Sequence, residues 1–117
     1  MNDLIESIFQ DFSVDGENVP VAYLYYEGHD DPYVTYQQED ADSSYSGDDE
    51  LLGYADYYDF DVYSKGDYTD IIKSVKKKLK DNDFIWCPSR TSPDMYEPDT
   101  GYYHKTLSFM ILRGEEN

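Results

Sequence analysis

Lysine and arginine are absent from the first 64 residues of this 117-residue chain, although that half carries 17 Asp and Glu. All 9 basic residues lie in residues 65–117, beside the other 9 acidic ones, so the formal charge of −17 belongs to one half of the molecule. Nucleic acids and anionic membranes are polyanions, and productive contact with them needs cations to replace released counterions. The composition therefore argues against specific nucleic-acid or membrane binding and for avoidance of polyanions or engagement of a basic partner. A single cysteine, Cys87, excludes an internal disulfide and cannot alone build a zinc site. No uninterrupted apolar stretch follows a basic N-terminal region, and none is long enough to cross a membrane as a helix. The expectation is a soluble protein made in the cytoplasm.

What the chain does have is aromatic surface. Fourteen Tyr, 5 Phe and 1 Trp give it more buryable area than acidic disordered tails possess, so it is expected to fold. Its length fits one domain, residues 1–117, with a modest core.

Residues 1–12 read as a helix because Leu4, Ile5, Ile8, Phe9 and Phe12 share one face. Residues 13–18 turn around Gly16, and residues 19–26 read as a strand that should pair as a hairpin with residues 33–38. Residues 39–50 read as a long acidic loop. Tyr58, Phe60 and Val62 alternate with Tyr57, Asp59, Asp61 and Tyr63, the period of a strand. Asp67 can cap a helix in which Tyr68, Ile71, Ile72, Val75 and Leu79 form an apolar stripe, with Asn82 as its left-handed stop. Phe84 opens another strand, residues 88–98 read as a loop, and residues 102–113 form a last strand with Leu107, Phe109 and Ile111 facing inward. The order α-β-β-β-α-β-β predicts an α+β fold, a mostly antiparallel sheet with helices on one face.

Chemistry-bearing clusters are sparse. Asp40, Asp42, Asp48, Asp49 and Glu50 are close in sequence, but a calcium loop begun at Asp40 would place Tyr45 where glycine is required, which favours a solvated acidic loop. Neither His29 nor His104 stands near a recognisable nucleophile, so no enzyme activity and no cofactor are implied. Cys87, beside Trp86, fits a half-buried apolar role. Lys73, Lys76, Lys77, Lys78 and Lys80 complement the C-terminal end of their helix dipole, and in a ring they would complement the acidic first half of a neighbouring subunit. The candidate interface residues are thus Asp40, Asp42, Asp48, Asp49, Glu50, Lys73, Lys76, Lys77 and Lys80. The pairs Tyr25-Tyr26, Tyr57-Tyr58 and Tyr102-Tyr103 place a ring on each face of a strand, which suits a protein interface.

The run Tyr54-Ala55-Asp56-Tyr57-Tyr58-Asp59-Phe60-Asp61-Val62-Tyr63-Ser64-Lys65-Gly66-Asp67-Tyr68, the lysine-rich helix after it, and Asp94-Met95-Tyr96-Glu97-Pro98-Asp99-Thr100-Gly101-Tyr102-Tyr103-His104-Lys105 resemble small tail components of long-tailed phages and prophages of Gram-positive bacteria. Across residues 19–113 the chain resembles the tail terminator, or tail-to-head joining, family. The resemblance implies a subunit of a hexameric ring that caps the tail tube and meets the head connector. Its partners would be copies of itself, the tail tube protein and the head-tail connector protein, and its place the head-proximal end of the virion tail. No catalytic residue is implied. A second reading, from the charge alone, is an acidic DNA mimic that inhibits a host DNA-binding protein.

Overall fold

A computed structural model describes residues 2–28, 31–47 and 50–114, with the side chains of residues 2, 39–54, 113 and 114 outside that description. Helix α1 (Asn2–Ile8) precedes three short strands, β1 (Ser13–Val14), β2 (Glu17–Asn18) and β3 (Val21–Tyr23). Two long strands follow, β4 (Tyr33–Gly47) and β5 (Glu50–Ser64), then helix α2 (Thr69–Lys80). Strand β6 (Ile85–Trp86), a 3-10 turn at Pro88–Arg90, and strands β7 (Met95–Glu97) and β8 (Tyr102–Gly114) complete the chain. Six strands form one sheet in the order β3-β4-β5-β8-β6, with β7 also paired to β8. Among the described residues only the β3–β4 pair is parallel, so the fold is α+β and mostly antiparallel.

Period-two alternation builds the core. Val34 and Tyr36 of β4, Tyr58, Phe60 and Val62 of β5, and Leu107, Phe109 and Ile111 of β8 all face one side and are buried. Ile5 and Ile8 of α1, Phe9 and Phe12 just beyond it, and Ile71, Val75 and Leu79 of α2 cover them. At the centre, the fully buried Phe60 ring meets those of Tyr36 at 5.7 Å and of Phe9 and Phe109 at 6.0 Å. Burying a ring of this size contributes about 1.5–3 kcal/mol.

Several expectations need correction. Helix α1 ends at Ile8 rather than residue 12, yet Phe9 and Phe12 reach the core from a turn in which Asp11 takes a φ of 55°. The apolar spacing located four buried side chains without requiring helix beneath all of them, while Leu4, expected on the same face, is exposed. The expected turn at Gly16 is a small hairpin, β1–β2, whose central residues Asp15 and Gly16 have φ of 54° and 84°, as a two-residue hairpin turn requires.

The hairpin expected between β3 and β4 is a parallel pair, with Val21 opposite Val34 and Tyr23 opposite Tyr36. Parallel neighbours normally need a long crossover because the chain must return the length of a strand. Here β3 has only three residues, about 10 Å of chain, and residues 24–32 span that return easily. The reversal starts at Leu24, whose φ is 70° and whose N–H donates to the Tyr36 carbonyl at 2.8 Å.

The acidic loop expected at residues 39–50 is also replaced. The backbone is β4 as far as Gly47 and β5 from Glu50, with Gly47 opposite Glu50. Because β5 is anchored on its other side by β8 as far as Gly53 opposite Gly114, it offers a template whose backbone groups β4 can satisfy despite its polar sequence. The cost shows as register shifts between Gln38 and Asp40, Asp40 and Ser43, and Tyr45 and Ser46.

Asp67, expected as the cap of helix α2, stands one residue before the N-cap, which is Tyr68 and makes no side-chain cap bond. The Asp67 carboxylate accepts hydrogen bonds from the Thr69 N–H at 3.0 Å and hydroxyl at 2.7 Å, which hold its pKa below the usual range. Its left-handed stop is Asp83, at φ 70°, rather than Asn82. Asn82 instead donates its side-chain amide to the Lys78 carbonyl at 2.8 Å, while the Phe84 N–H reaches back to the Leu79 carbonyl at 3.0 Å. The expected loop at residues 88–98 contains the 3-10 turn and β7.

Candidate interaction surfaces

Where the helices cover one side of the sheet, the other side carries the intervening residues of the same strands. Strand register sets these out in rows. One row runs Tyr33, Tyr63, His104, Met95 across β4, β5, β8 and β7. Its rings stack, Tyr33 on Tyr63 at 4.7 Å and Tyr63 on His104 at 4.4 Å, and Tyr26 adds a ring 5.0 Å from Tyr33. Tyr102 packs edge-on to Tyr33 and Tyr63. Burial pushes the Tyr63 phenol up to about 12, helped by the charge of Asp61, and burial raises Tyr33 also. These phenols therefore present neutral hydroxyls.

The next row is Thr35, Asp61, Thr106. The Thr106 hydroxyl donates to Asp61 Oδ1 at 2.5 Å, and His104 Nε2 stands 3.4 Å from the same oxygen. A nucleophile relay needs the acid on one imidazole nitrogen and the nucleophile on the other. Here Asp61 and Thr106 both lie at Nε2, with Thr106 Oγ1 at 3.5 Å, so the three side chains tie β5 to β8 without assembling that relay. A further row, Gln37, Asp59, Ser108, leads to Tyr57 and Met110, where the Arg90 guanidinium lies 4.1 Å from the Tyr57 ring centre.

On the other side of the molecule, α2 buries Ile71, Val75 and Leu79 and turns its lysines outward. Lys76 Nζ sits 3.6 Å from the Trp86 ring centre and Lys80 Nζ 5.8 Å from it. Burial lowers the Lys76 pKa, followed by the nearby charges of Lys105 and Lys80. Trp86 is itself fixed by a 2.9 Å hydrogen bond from its indole N–H to the Thr91 hydroxyl.

An open cleft of about 480 Å³ lies beside the start of α2, lined by Lys65, Gly66, Asp67, Tyr68, Asp94 and Tyr103. Tyr68 donates to Asp94 across it, at 2.5 Å, and burial followed by that bond raises the Tyr68 pKa. Lys105 approaches the same carboxylate at 3.7 Å. Among the described residues no three His, Cys, Asp or Glu side chains gather to hold a metal ion, and no helix is long and apolar enough to cross a membrane. Burial raises the Cys87 pKa against the opposing charge of Arg90, so the thiol is not activated.

No family model and no curated protein sequence matches the chain.

The sequence-derived candidates fare unevenly. Asp48 and Asp49 lie outside the described residues, and of Asp40, Asp42 and Glu50 only the backbone is described, on β4 and β5. Lys76 and Lys80 are brought together on Trp86, Lys77 pairs with Asp81 at 3.0 Å on its own helix, and Lys73 is exposed. The Tyr33–Tyr63–His104 row and Asp61 were not among the candidates. Alternation marked Tyr57 and Tyr58 for opposite faces, and they do lie so, but no signal in the sequence links residue 63 to residue 104. Tyr25 and Tyr26, read as strand residues, fall beyond β3 in irregular chain.

Proposed function

We propose that the chain is a structural subunit of phage morphogenesis, a tail terminator that caps the tail tube as a ring and forms the joint to the head connector. The observation that carries this reading is the division of one sheet into a helix-clad face and a face of neutral stacked tyrosines, with a separate lysine stripe on α2. Large, stiff, amphipathic rings bury area at little entropic cost and suit contact with other proteins. The resemblance of residues 54–68 and 94–105 to tail components supplies the context, and it implies a compact α/β subunit with a similar order of helices and strands. The acidic first half suits a protein through which DNA slides without being held.

Electron microscopy of particles made without this protein tests the role. Abnormally long tails are expected, whereas full-length tails detached from filled heads would place it at the joint alone, and normal particles would exclude both roles.

One observation favours the DNA-mimic reading. The backbone of residues 39–47, which include Glu39, Asp40 and Asp42, is strand rather than loop. Co-purification with a host DNA-binding protein, in place of tail tube protein, would decide for it.

A further inference from the structure

Among the described residues, Asp81 is the one carboxylate paired with an α2 lysine. It pairs with Lys77 of the same helix, while Lys76 and Lys80 face Trp86, and Lys78 faces Phe12. Lys73, Lys77 and Lys80 are exposed at a spacing that sets them along one side of the helix.

Toward the N-terminal end of α2, about 15 Å along the helix axis from Lys80 and one turn from Lys73, is the opposite arrangement. The β1–β2 turn and the first turn of α2 enclose a second cleft, of about 290 Å³. Its rim is Asp15, Glu17, Asp67 and Asp70, and its floor includes the buried side chains of Val14 and Ile71. A hydrogen bond to Asp70, and then the Asp70 charge, raise the Asp15 pKa, as expected where two carboxylates meet. Acidic rim over apolar floor matches a lysine side chain, whose four-carbon stem prefers apolar surface while its ammonium seeks carboxylates.

We propose that this cleft receives a lysine from the exposed α2 stripe of a second copy of the chain, joining subunits head to tail. Antiparallel α2 helices could also seat each stripe on the other's cleft and close as a twofold pair; the ring reading selects the open, head-to-tail arrangement, and association that stops at dimers would overturn it. The inference rests on the ring reading and gives it a specific contact.

Salt acts on this contact in two directions. At about 0.01 M salt, with a screening length of roughly 30 Å, copies of charge −17 repel one another as wholes; at about 0.1 M, roughly 10 Å, that repulsion fades while contact pairs persist; at about 1 M, roughly 3 Å, the pairs weaken too. Sedimentation velocity of the full chain should therefore show self-association strongest at intermediate salt. Two charge-reversal variants test the surfaces, Lys73→Glu/Lys77→Glu/Lys80→Glu and Glu17→Lys/Asp70→Lys. Each alone should associate about tenfold or more weakly, as expected for the loss of several exposed pairs. Mixed together they should recover association, since each supplies the patch the other lost. If either reversal disturbs folding by circular dichroism, Glu17→Gln/Asp70→Asn replaces it, with a weakening of about threefold expected.

A wild-type chain that stays monomeric at every salt concentration, variants that associate like wild type, or a mixture that stays apart would overturn the proposal. Capped tubes from a variant that no longer self-associates would overturn this contact and leave the tail role standing. Normal self-association in a protein whose loss leaves tails unchanged would do the reverse.

Discussion

The two faces of the sheet are written in the same strands, one residue apart, and they are built for different purposes. Toward the helices, Phe60 and Val62 join Phe109 and Leu107 in a core with 0% exposure at all four positions. Away from them, Asp61 and Tyr63 meet Thr106 and His104 in a half-buried polar and aromatic array. The comparison teaches that the stability of this small protein is concentrated on one face, which leaves the other free to vary in chemistry. The outer face adds ring stacking and hydrogen bonds to partial burial in holding its side chains.

The largest effect should come from the inner face. Phe60→Ala would leave a cavity where the Phe9, Tyr36 and Phe109 rings meet and is expected to cost about 3–5 kcal/mol in chemical denaturation. Survival of near-normal stability would mean that the helix-clad side is not the main source of cohesion.

Alkali probes both faces at once. Tyr36 on the inner face and Tyr63 on the outer are each pushed up to about 12, chiefly by burial, and Tyr33 is raised as well. A phenol whose folded pKa exceeds its unfolded one binds the proton more tightly when folded. Its contribution is complete below the unfolded value near 10 and is lost as pH rises through about 12. Thermal melts should therefore fall steeply between about pH 10 and 12, and absorbance titration should show tyrosines ionising late until the fold opens.

Smaller effects should follow from the outer face and the α2 surface. Asp61→Ala removes the acceptor shared by Thr106 and His104 and should cost about 1–3 kcal/mol, while the inner core remains. Lys76→Ala takes an ammonium from the Trp86 ring and should cost about 0.5–1 kcal/mol, with a change in indole fluorescence as the direct readout.

Much of the fold was legible in the sequence because periodicity records burial. Tyr58, Phe60 and Val62 announced β5, and Ile71, Val75 and Leu79 announced α2, since each pattern has one period and one buried side. Residues 39–47 misled because polar composition speaks of solvent while strand formation there is decided by the neighbouring β5. The direction of β3 was equally hidden, since three residues carry no orientation signal and Leu24, an apolar residue at positive φ, marks no turn by composition. The outer site was legible only as an excess of tyrosine. Its assembly depends on pairing Tyr63 with His104 across 41 positions, a fact of register rather than of local pattern.

The central claim is that the chain meets protein at the end of a tail tube and does not grip the genome. Incubating the purified protein with polymerised tail tubes of the phage or prophage proposed as its source, and viewing them by negative-stain electron microscopy, tests it most directly. The account predicts extra density at one end of each tube and no binding to duplex DNA at physiological salt. Bare tube ends, together with tight DNA binding, would contradict it.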